Sequence, residues 1–216
     1  MTQVKICCIS SIQEAQMAIR SGANILGLVG PMPSGPGIIS NEKIAEIVQS
    51  VSPNIDTWLL TSETSAKKII AHHKLVNTSA IQIVDELKKG EYQEIREAIP
   101  EVKLIQVLHV KDETTIHEAS RVDDYVDFIL LDSGNPNADL KILGGTGNVH
   151  NWEISKLIVK SVNVPVFLAG GLNSNNVEAA IHKVQPYGID LCSGVRTNKK
   201  LDVIKLKTFF HNINSA

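Results

Sequence analysis

The chain is predicted to fold as a single (β/α)8 barrel, and three observations support that architecture. Apolar, β-branched segments alternate with amphipathic segments throughout the 216 residues, with no linker or low-complexity stretch between them. Eight units can be counted, and their average spacing of roughly 27 residues is the size of one strand–helix unit. No dinucleotide-binding glycine fingerprint follows the first apolar run, which disfavours a doubly wound open sheet. We therefore expect one domain over residues 1–216.

The predicted strands are short apolar runs that end at a polar residue or a glycine. Continuous apolar runs are typical of parallel strands that are covered on both faces. The second run is followed by a loop rich in proline and glycine, Gly30–Gly37. The eight runs are Val4–Ile9, Asn24–Val29, Ile55–Leu60, Ala80–Val84, Leu104–Val110, Phe128–Leu131, Val164–Leu168 and Gly188–Cys192.

Helices are predicted between consecutive strands. Ser11 and Ser40 can cap the first two, because a serine oxygen accepts the free N–H groups of a first helical turn. The first helix is expected to end near Ser21 and Gly22. The later helices are predicted at Thr64–Lys74, Gly90–Ile99, Thr114–Arg121, Asn151–Lys160, Ser174–Gln185 and Leu201–His211. Five histidines on these helices are expected to be solvated surface residues: His72, His73, His117, His182 and His211.

Composition excludes several classes of partner. A formal charge of −2 disfavours nucleic acid or an anionic membrane as a partner. The opening MTQVKICCIS has no apolar stretch long enough for a signal peptide, and no later run approaches a membrane span. Three cysteines, with Cys7 and Cys8 adjacent, do not make a disulfide framework, so we expect a reduced, cytoplasmic setting. The sequence does not indicate an oligomeric state.

Glycine-rich elbows follow the sixth, seventh and eighth predicted strands. Gly170-Gly171 and Ser193-Gly194 follow the last two, and Gly145 lies in the loop after the sixth. Glycines allow backbone N–H groups to approach an anion closely, and phosphate sites in this fold often follow strands seven and eight. Either pair alone is also compatible with a plain tight turn. Together they predict a phosphate site, whereas the absence of Walker, zinc and EF-hand spacings argues against a metal.

Two residues at predicted strand ends can move protons. Lys5 and Cys7 point to the same side of the first strand, so the lysine could favour a thiolate at Cys7. The alternative is that Cys7 and Cys8 are small residues of the core. Asp132 ends a buried strand, where a carboxylate needs a partner or a task; a loop-anchoring or capping aspartate is the alternative. A thiol and a carboxylic acid facing one pocket would make a base and an acid.

These residues together resemble the phosphoribosylanthranilate isomerase family nearly end to end. The motifs that carry the resemblance are KIC, SGANILGLV, LLDS, LGGTG followed by NW, VPVFLAGGL, NVEAAI and GIDLCSGV. The resemblance implies an Amadori rearrangement of a phosphoribosyl substrate in tryptophan biosynthesis, without a cofactor. It implies that Cys7 is the general base and Asp132 the general acid. It also implies that the phosphate is held by Gly145, Gly170, Gly171, Ser193 and Gly194.

Four positions depart from the family pattern. Cys8 replaces a glycine, and the loop from Pro33 to Gly37 lacks an arginine that helps to hold the anthranilate carboxylate. The fourth strand ends at Asp85 without the usual histidine, and Arg196 stands where a glutamate is usual. Arg196 either compensates for the missing arginine or is a surface residue that pairs with a helix carboxylate. His109, at the end of the fifth strand, either enters the site or packs in the core.

Three functions follow from these observations. The first is phosphoribosylanthranilate isomerase activity on a small phosphosugar substrate. The second is a paralogous phosphosugar isomerase whose substrate lacks anthranilate, suggested by the missing arginine and histidine. The third is a phosphometabolite-binding protein without activity, which the presence of both Cys7 and Asp132 disfavours.

Overall fold

The computed structural model describes residues 2–133 and 150–214, and it confirms the predicted (β/α)8 barrel. The parallel strands form a closed barrel in sequence order, and β1 pairs with β8. The strands are β1 Gln3–Ile6, β2 Ile25–Val29, β3 Asp56–Thr61, β4 Ala80–Ile83, β5 Lys103–His109, β6 Phe128–Asp132, β7 Val166–Leu168 and β8 Gly188–Leu191. A small hairpin of β9 Arg196–Thr197 and β10 Lys200–Leu201 follows β8.

A helix follows each barrel strand and packs on the outside of the barrel. The helices are α1 Ile12–Ser21, α2 Asn41–Ser50, α3 Ala66–Val76, α4 Lys89–Ala98, α5 Thr114–Val122, α6 Trp152–Ser161, α7 Val177–Val184 and α8 Val203–Asn214. The predicted caps are confirmed, since the side chain of Ser11 accepts from the N–H of Glu14 and that of Ser40 accepts from Lys43. None of the described helices is both long and apolar enough to cross a bilayer.

The predicted first and seventh strands are each two residues shorter in the structure than in the sequence analysis. The first strand ends at Ile6 rather than Ile9, because Cys8 turns the backbone into the left-handed region with φ +62°. The seventh begins at Val166 rather than Val164, and Pro165, which lacks an N–H to donate to a neighbouring strand, precedes it.

The hydrophobic core has two layers. The larger layer lies between the strands and the helices, and the smaller one fills the interior of the barrel. Trp58, Phe128 and Phe167 form an aromatic cluster in that interior, with the rings of Trp58 and Phe167 4.9 Å apart in an edge contact. Because these side chains fill the lower interior of the barrel, the place for a binding site is at the carboxyl ends of the strands.

Two of the five helical histidines are not the solvated surface residues that the sequence analysis expects. His73 is buried, and its Nε2 lies 2.7 Å from the carbonyl oxygen of Thr78. His72 is half-buried, with its ring between Thr61 and Asn41. The partners of His72 come from the end of β3 and the start of α2, and the partner of His73 from the loop after α3; a helical pattern does not reveal such contacts. The other three histidines are exposed as predicted: His117, His182 and His211.

Candidate active site

The carboxyl ends of the barrel strands surround an open cavity of about 760 Å³, including the solvent at its mouth. Loops after β1, β2, β7 and β8 form its rim, which brings together side chains that are far apart in sequence. Six of the predicted site residues line this cavity: Cys7, His109, Asp132, Gly170, Gly171 and Ser193. Gly145 lies outside the described residues. The remaining three, Lys5, Gly194 and Arg196, do not line it.

Cys7 and Lys5 occupy a space that Gly27 leaves empty. A Cβ atom at Gly27 would lie 2.8 Å from Cys7 Sγ and 2.9 Å from Lys5 Nζ. Lys5 is fully buried, and its Nζ lies 2.8 Å from Oδ2 of Asp190. Burial lowers the pKa of Lys5. The Asp190 carboxylate raises it by more than burial lowers it, so the pKa of Lys5 stays above its ordinary value. Lys5 is therefore a buried cation under the thiol and does not reach the open cavity.

The surroundings of Cys7 lower the pKa of its thiol. A hydrogen bond with the Cys8 side chain is the largest influence, and the Lys5 ammonium acts in the same direction against the effect of burial. Cys8 has the opposite tendency, because its contact with Cys192, with the two Sγ atoms 2.7 Å apart, raises its pKa. Cys7 is buried at the bottom of the cavity yet lines it. Of the two adjacent thiols, Cys7 is thus the one prepared to ionise.

Asp132 faces the cavity from β6, across from the loop after β1. Burial is the largest influence on its pKa and raises it above the ordinary value, opposed by the N–H of Ser133 and the charge of Lys5. Its Oδ1 accepts a hydrogen bond from the Ser133 N–H at 2.7 Å. A raised pKa keeps the carboxyl group protonated to higher pH than an ordinary aspartate, which favours its use as a general acid.

The loop after β7 presents two consecutive glycines in the left-handed region. Gly170 has φ +82° and Gly171 φ +67°, and a Cβ at Gly170 would lie 2.8 Å from the backbone nitrogen of Ser133. The amides of Asn173 and Asn176 donate to the carbonyl of Gly171 at 3.1 and 3.0 Å and hold the loop in place. This conformation brings backbone to the cavity rim without side chains in between.

Ser193 and Gly194 have different roles in the loop after β8. Ser193 lines the cavity at the start of a short 3-10 turn, Ser193–Val195. Gly194 does not line it; a Cβ there would overlap the carbonyl oxygen of Leu172 in the loop after β7. The glycine at 194 therefore allows the two loops to pack closely, a reason that the sequence pattern did not distinguish from ligand contact.

Arg196 is held by protein groups and does not enter the cavity. Its Nη1 lies 2.9 Å from Oε1 of Glu14, and its Nη2 donates to the carbonyls of Cys7 and Cys8 at 3.1 and 2.6 Å. The prediction that it replaces the missing loop arginine is wrong. The alternative predicted a surface residue that pairs with a helix carboxylate. The carboxylate partner is present, Glu14 on α1, but Arg196 is not a surface residue, since its side chain is only 8% exposed.

His109 enters the site. Its ring lines the cavity at the end of β5, and neither ring nitrogen has a hydrogen-bond partner among the described residues. Burial, followed by the nearby Lys111, lowers its pKa to about 4, so the ring is neutral at neutral pH.

Sequence analysis missed Asp190, the partner of Lys5. The available signal was a lone charged residue inside the predicted strand Gly188–Cys192. Within ranges 2–133 and 150–214, no group of three or more His, Cys, Asp or Glu side chains is placed to hold a metal ion.

The comparisons with known proteins agree on one family. Residues 4–212 match the family model of N-(5'-phosphoribosyl)anthranilate (PRA) isomerase. The chain is 33% identical to N-(5'-phosphoribosyl)anthranilate isomerase 2 of Methanosarcina mazei, over 97% of this chain and 92% of that protein. It is also 33% identical to the Nostoc punctiforme isomerase, over 99% of each chain.

Solved structures show the same fold over the whole length. A crystal structure of phosphoribosyl anthranilate isomerase in complex with reduced 1-(o-carboxyphenylamino)-1-deoxyribulose 5-phosphate has a TM-score of 0.83 and 25% identity, covering 100% of both chains. The Thermotoga maritima enzyme has a TM-score of 0.84 and 26% identity, again over 100% of both chains. The chain belongs to the N-(5'-phosphoribosyl)anthranilate isomerase family, which catalyses the isomerisation step of tryptophan biosynthesis.

Proposed function

We propose that Cys7 and Asp132 are the general base and general acid of an Amadori rearrangement of N-(5'-phosphoribosyl)anthranilate. The observation that carries the proposal is the pair of opposite pKa tendencies on two walls of one cavity. The Cys7 thiol is biased towards its ionised form and the Asp132 carboxyl towards its protonated form. A base and an acid held in these states can act on the same sugar.

In the first step the sugar ring opens. The Asp132 carboxyl gives its proton to the ring oxygen, and the C1–O bond breaks as the lone pair of the anthranilate nitrogen forms a C1=N iminium. The Cys7 thiolate then takes the proton from C2. The C2–H electron pair becomes the C1=C2 bond, and the iminium electrons return to nitrogen.

The enolamine formed in this way becomes the product by tautomerisation. The C2 hydroxyl loses its proton and C1 gains one, so the product is a ketose isomer of the substrate. No atom or electron is gained or lost overall, and the reaction requires no cofactor. Lys5 supports the reaction as a positioning residue, because its charge stabilises the Cys7 thiolate next to it.

The remaining cavity surface matches the two ends of such a substrate. Backbone of Gly170 and Gly171, together with Ser193, would hold the 5'-phosphate, since exposed N–H groups at glycines suit an anion. The opposite part of the cavity is apolar and suits an aromatic ring. Its lining comes from Val29, Met32, Leu60, Val84 and Val107.

Steady-state turnover of N-(5'-phosphoribosyl)anthranilate by the purified chain tests the proposal. Cys7→Ala and Asp132→Asn should each lower kcat by about 10²- to 10⁴-fold, the usual contribution of a general acid or base. Asp124→Asn, at an exposed aspartate near the end of α5, is the matched control and should leave kcat unchanged. Full activity of either site variant would contradict the assigned roles.

The missing loop arginine favours a second candidate function, an isomerase that acts on a phosphosugar without anthranilate. Among the described residues, no arginine or lysine lines the cavity. If this second function is correct, the wild-type chain isomerises other ribosyl phosphates but not N-(5'-phosphoribosyl)anthranilate. Binding without any turnover, with unchanged affinity in Cys7→Ala, would instead support a phosphometabolite-binding protein.

A further inference from the structure

His109 is a buried polar side chain without a protein partner in the candidate site. It is 9% exposed, it lines the cavity, and both ring nitrogens lack a hydrogen bond within the part of the chain that the structure describes. Buried polar groups in folded proteins nearly always have a partner. An imidazole at a cavity wall without a protein partner is therefore available to form a hydrogen bond with a bound ligand.

The position of His109 indicates which part of the ligand it meets. It is the last residue of β5 and lies beside Asp132 in the register of β5 and β6. The apolar cavity wall comes from β2 to β5 and the loop after β2, whereas the glycine loop follows β7. A ligand with its phosphate at Gly170 and Gly171 would place its aromatic ring on the side of the cavity where His109 stands.

Neither Lys5 nor Arg196 is free to meet a ligand, so recognition of an anion falls to neutral donors such as His109. Lys5 is paired with Asp190 below the thiol, and Arg196 is held by Glu14 and two carbonyls. The titratable and charged groups that act on His109 are Lys111, Asp85 and the adjacent Asp132. A neutral imidazole carries one N–H and can donate one hydrogen bond to an anionic oxygen.

We propose that His109 donates a hydrogen bond to the ortho-carboxylate of the anthranilate ring, and that it distinguishes this substrate from the same phosphosugar on an uncarboxylated aromatic amine. The inference rests on the proposed function, because it takes the substrate as given and names the contact that recognises its carboxylate. The loop from Pro33 to Gly37, which contains no arginine, does not need to supply that contact.

The test compares two stable ligands that differ only in the carboxylate. One is reduced 1-(o-carboxyphenylamino)-1-deoxyribulose 5-phosphate, and the other is its phenylamino counterpart without the carboxyl group. The wild-type chain should bind the carboxylated ligand about 10- to 100-fold more tightly, the usual value of a hydrogen bond to a charged group. His109→Leu should remove that preference by weakening only the carboxylated ligand. His109→Gln, which keeps an N–H donor, should retain part of it.

An NMR titration of the wild-type imidazole provides a second readout that does not depend on the variants folding. The carboxylated ligand should raise the pKa of His109 from about 4, because a bound anion stabilises the imidazolium, while the phenylamino ligand should leave it unchanged. An equal loss of affinity for both ligands in His109→Leu would overturn the inference. The same His109 pKa with either ligand bound would overturn it as well. If the wild-type chain binds neither ligand, the proposed function itself fails. If it binds both equally, only the role of His109 fails.

Discussion

The position of the Cys7 thiol depends on Gly27, a residue without a side chain. Gly27 on β2 leaves the space in which Cys7 Sγ and Lys5 Nζ lie next to each other. Any larger residue at this position would push the thiol or the ammonium aside. Because Asp190 keeps Lys5 protonated, the thiol has a fixed positive charge beside it.

Replacing Lys5 should therefore change the pH dependence of catalysis. The reaction needs the Cys7 thiolate, so kcat/KM rises with pH through the pKa of the thiol. It falls again as the Asp132 carboxyl loses its proton. In Lys5→Met the thiol loses a favourable charge, and this loss raises its pKa. The rising part of the kcat/KM profile should move to higher pH.

Two further variants make this prediction specific. Lys5→Met/Asp190→Asn removes the lysine without leaving the Asp190 carboxyl buried beside no cation, so its profile should also move to higher pH than that of the wild type. Lys68→Met, at an exposed lysine, is the control and should leave the profile in place. A profile that is unchanged in both Lys5 variants would show that the charge of Lys5 does not act on Cys7.

At the level of elements, the loop after β7 is the most constrained part of the rim. Gly170 and Gly171 both adopt positive φ, which an L-residue rarely adopts without strain. The asparagines at the start of α7 fix the carbonyl of Gly171 from the other side. The proposed phosphate site therefore takes its shape from the junction of a strand and a helix.

Gly170→Ala tests that constraint. The substitution combines φ +82° with a Cβ only 2.8 Å from the nitrogen of Ser133, so it should destabilise the fold by more than about 1 kcal/mol. Urea unfolding measures the loss, and the Kd of the reduced product analogue should rise as well. Gly90→Ala is the matched control, because nothing lies within 4 Å of a Cβ there and the residue is in α4. It should be neutral or stabilising by about 0.5–1 kcal/mol.

Elements of this kind could be predicted from the sequence because their signals are local. Ser11 and Ser40 indicate helix starts because their own side chains cap the helices. The strand ends at Asp132 and Gly170 can be recognised because each directly follows an apolar run. The early end of β1 was not predicted, because Ile6 to Ile9 is apolar throughout and nothing in that pattern reveals the φ of Cys8.

The contacts that complete the site belong to the whole molecule. Lys5 and Asp190 are 185 positions apart, and they meet because β1 and β8 pair when the barrel closes. Arg196 reaches Glu14 across 182 positions. No local pattern encodes such pairs, so the sequence indicated the strand ends of the site but not the Lys5–Asp190 pair, and for Arg196 it indicated only a helix carboxylate as one possible partner.

Arg196→Gln should weaken both stability and catalysis. The variant loses the pairing with Glu14 and the support of the carbonyls of Cys7 and Cys8. The free energy of unfolding should fall by about 2–3 kcal/mol, the value of hydrogen bonds to a charged group. Because Cys7 loses its backbone support, kcat should fall more than KM rises.

Lys43→Gln, in the exposed pair with Glu46, is the control for Arg196→Gln. It should change stability by less than about 1 kcal/mol, since exposed ion pairs contribute little. An unfolding midpoint of Arg196→Gln that equals that of Lys43→Gln would contradict the structural role of Arg196.

The closure of the barrel between β1 and β8 also has a consequence for biosynthesis. The proposed base leaves the ribosome long before Asp190 and Arg196, which hold Lys5 and the backbone of Cys7 in place. A nascent chain therefore carries the thiol before the partners that hold Lys5 and the backbone of Cys7 are available. The arrangement that lowers the pKa of Cys7 forms only after β8 has been made and has paired with β1.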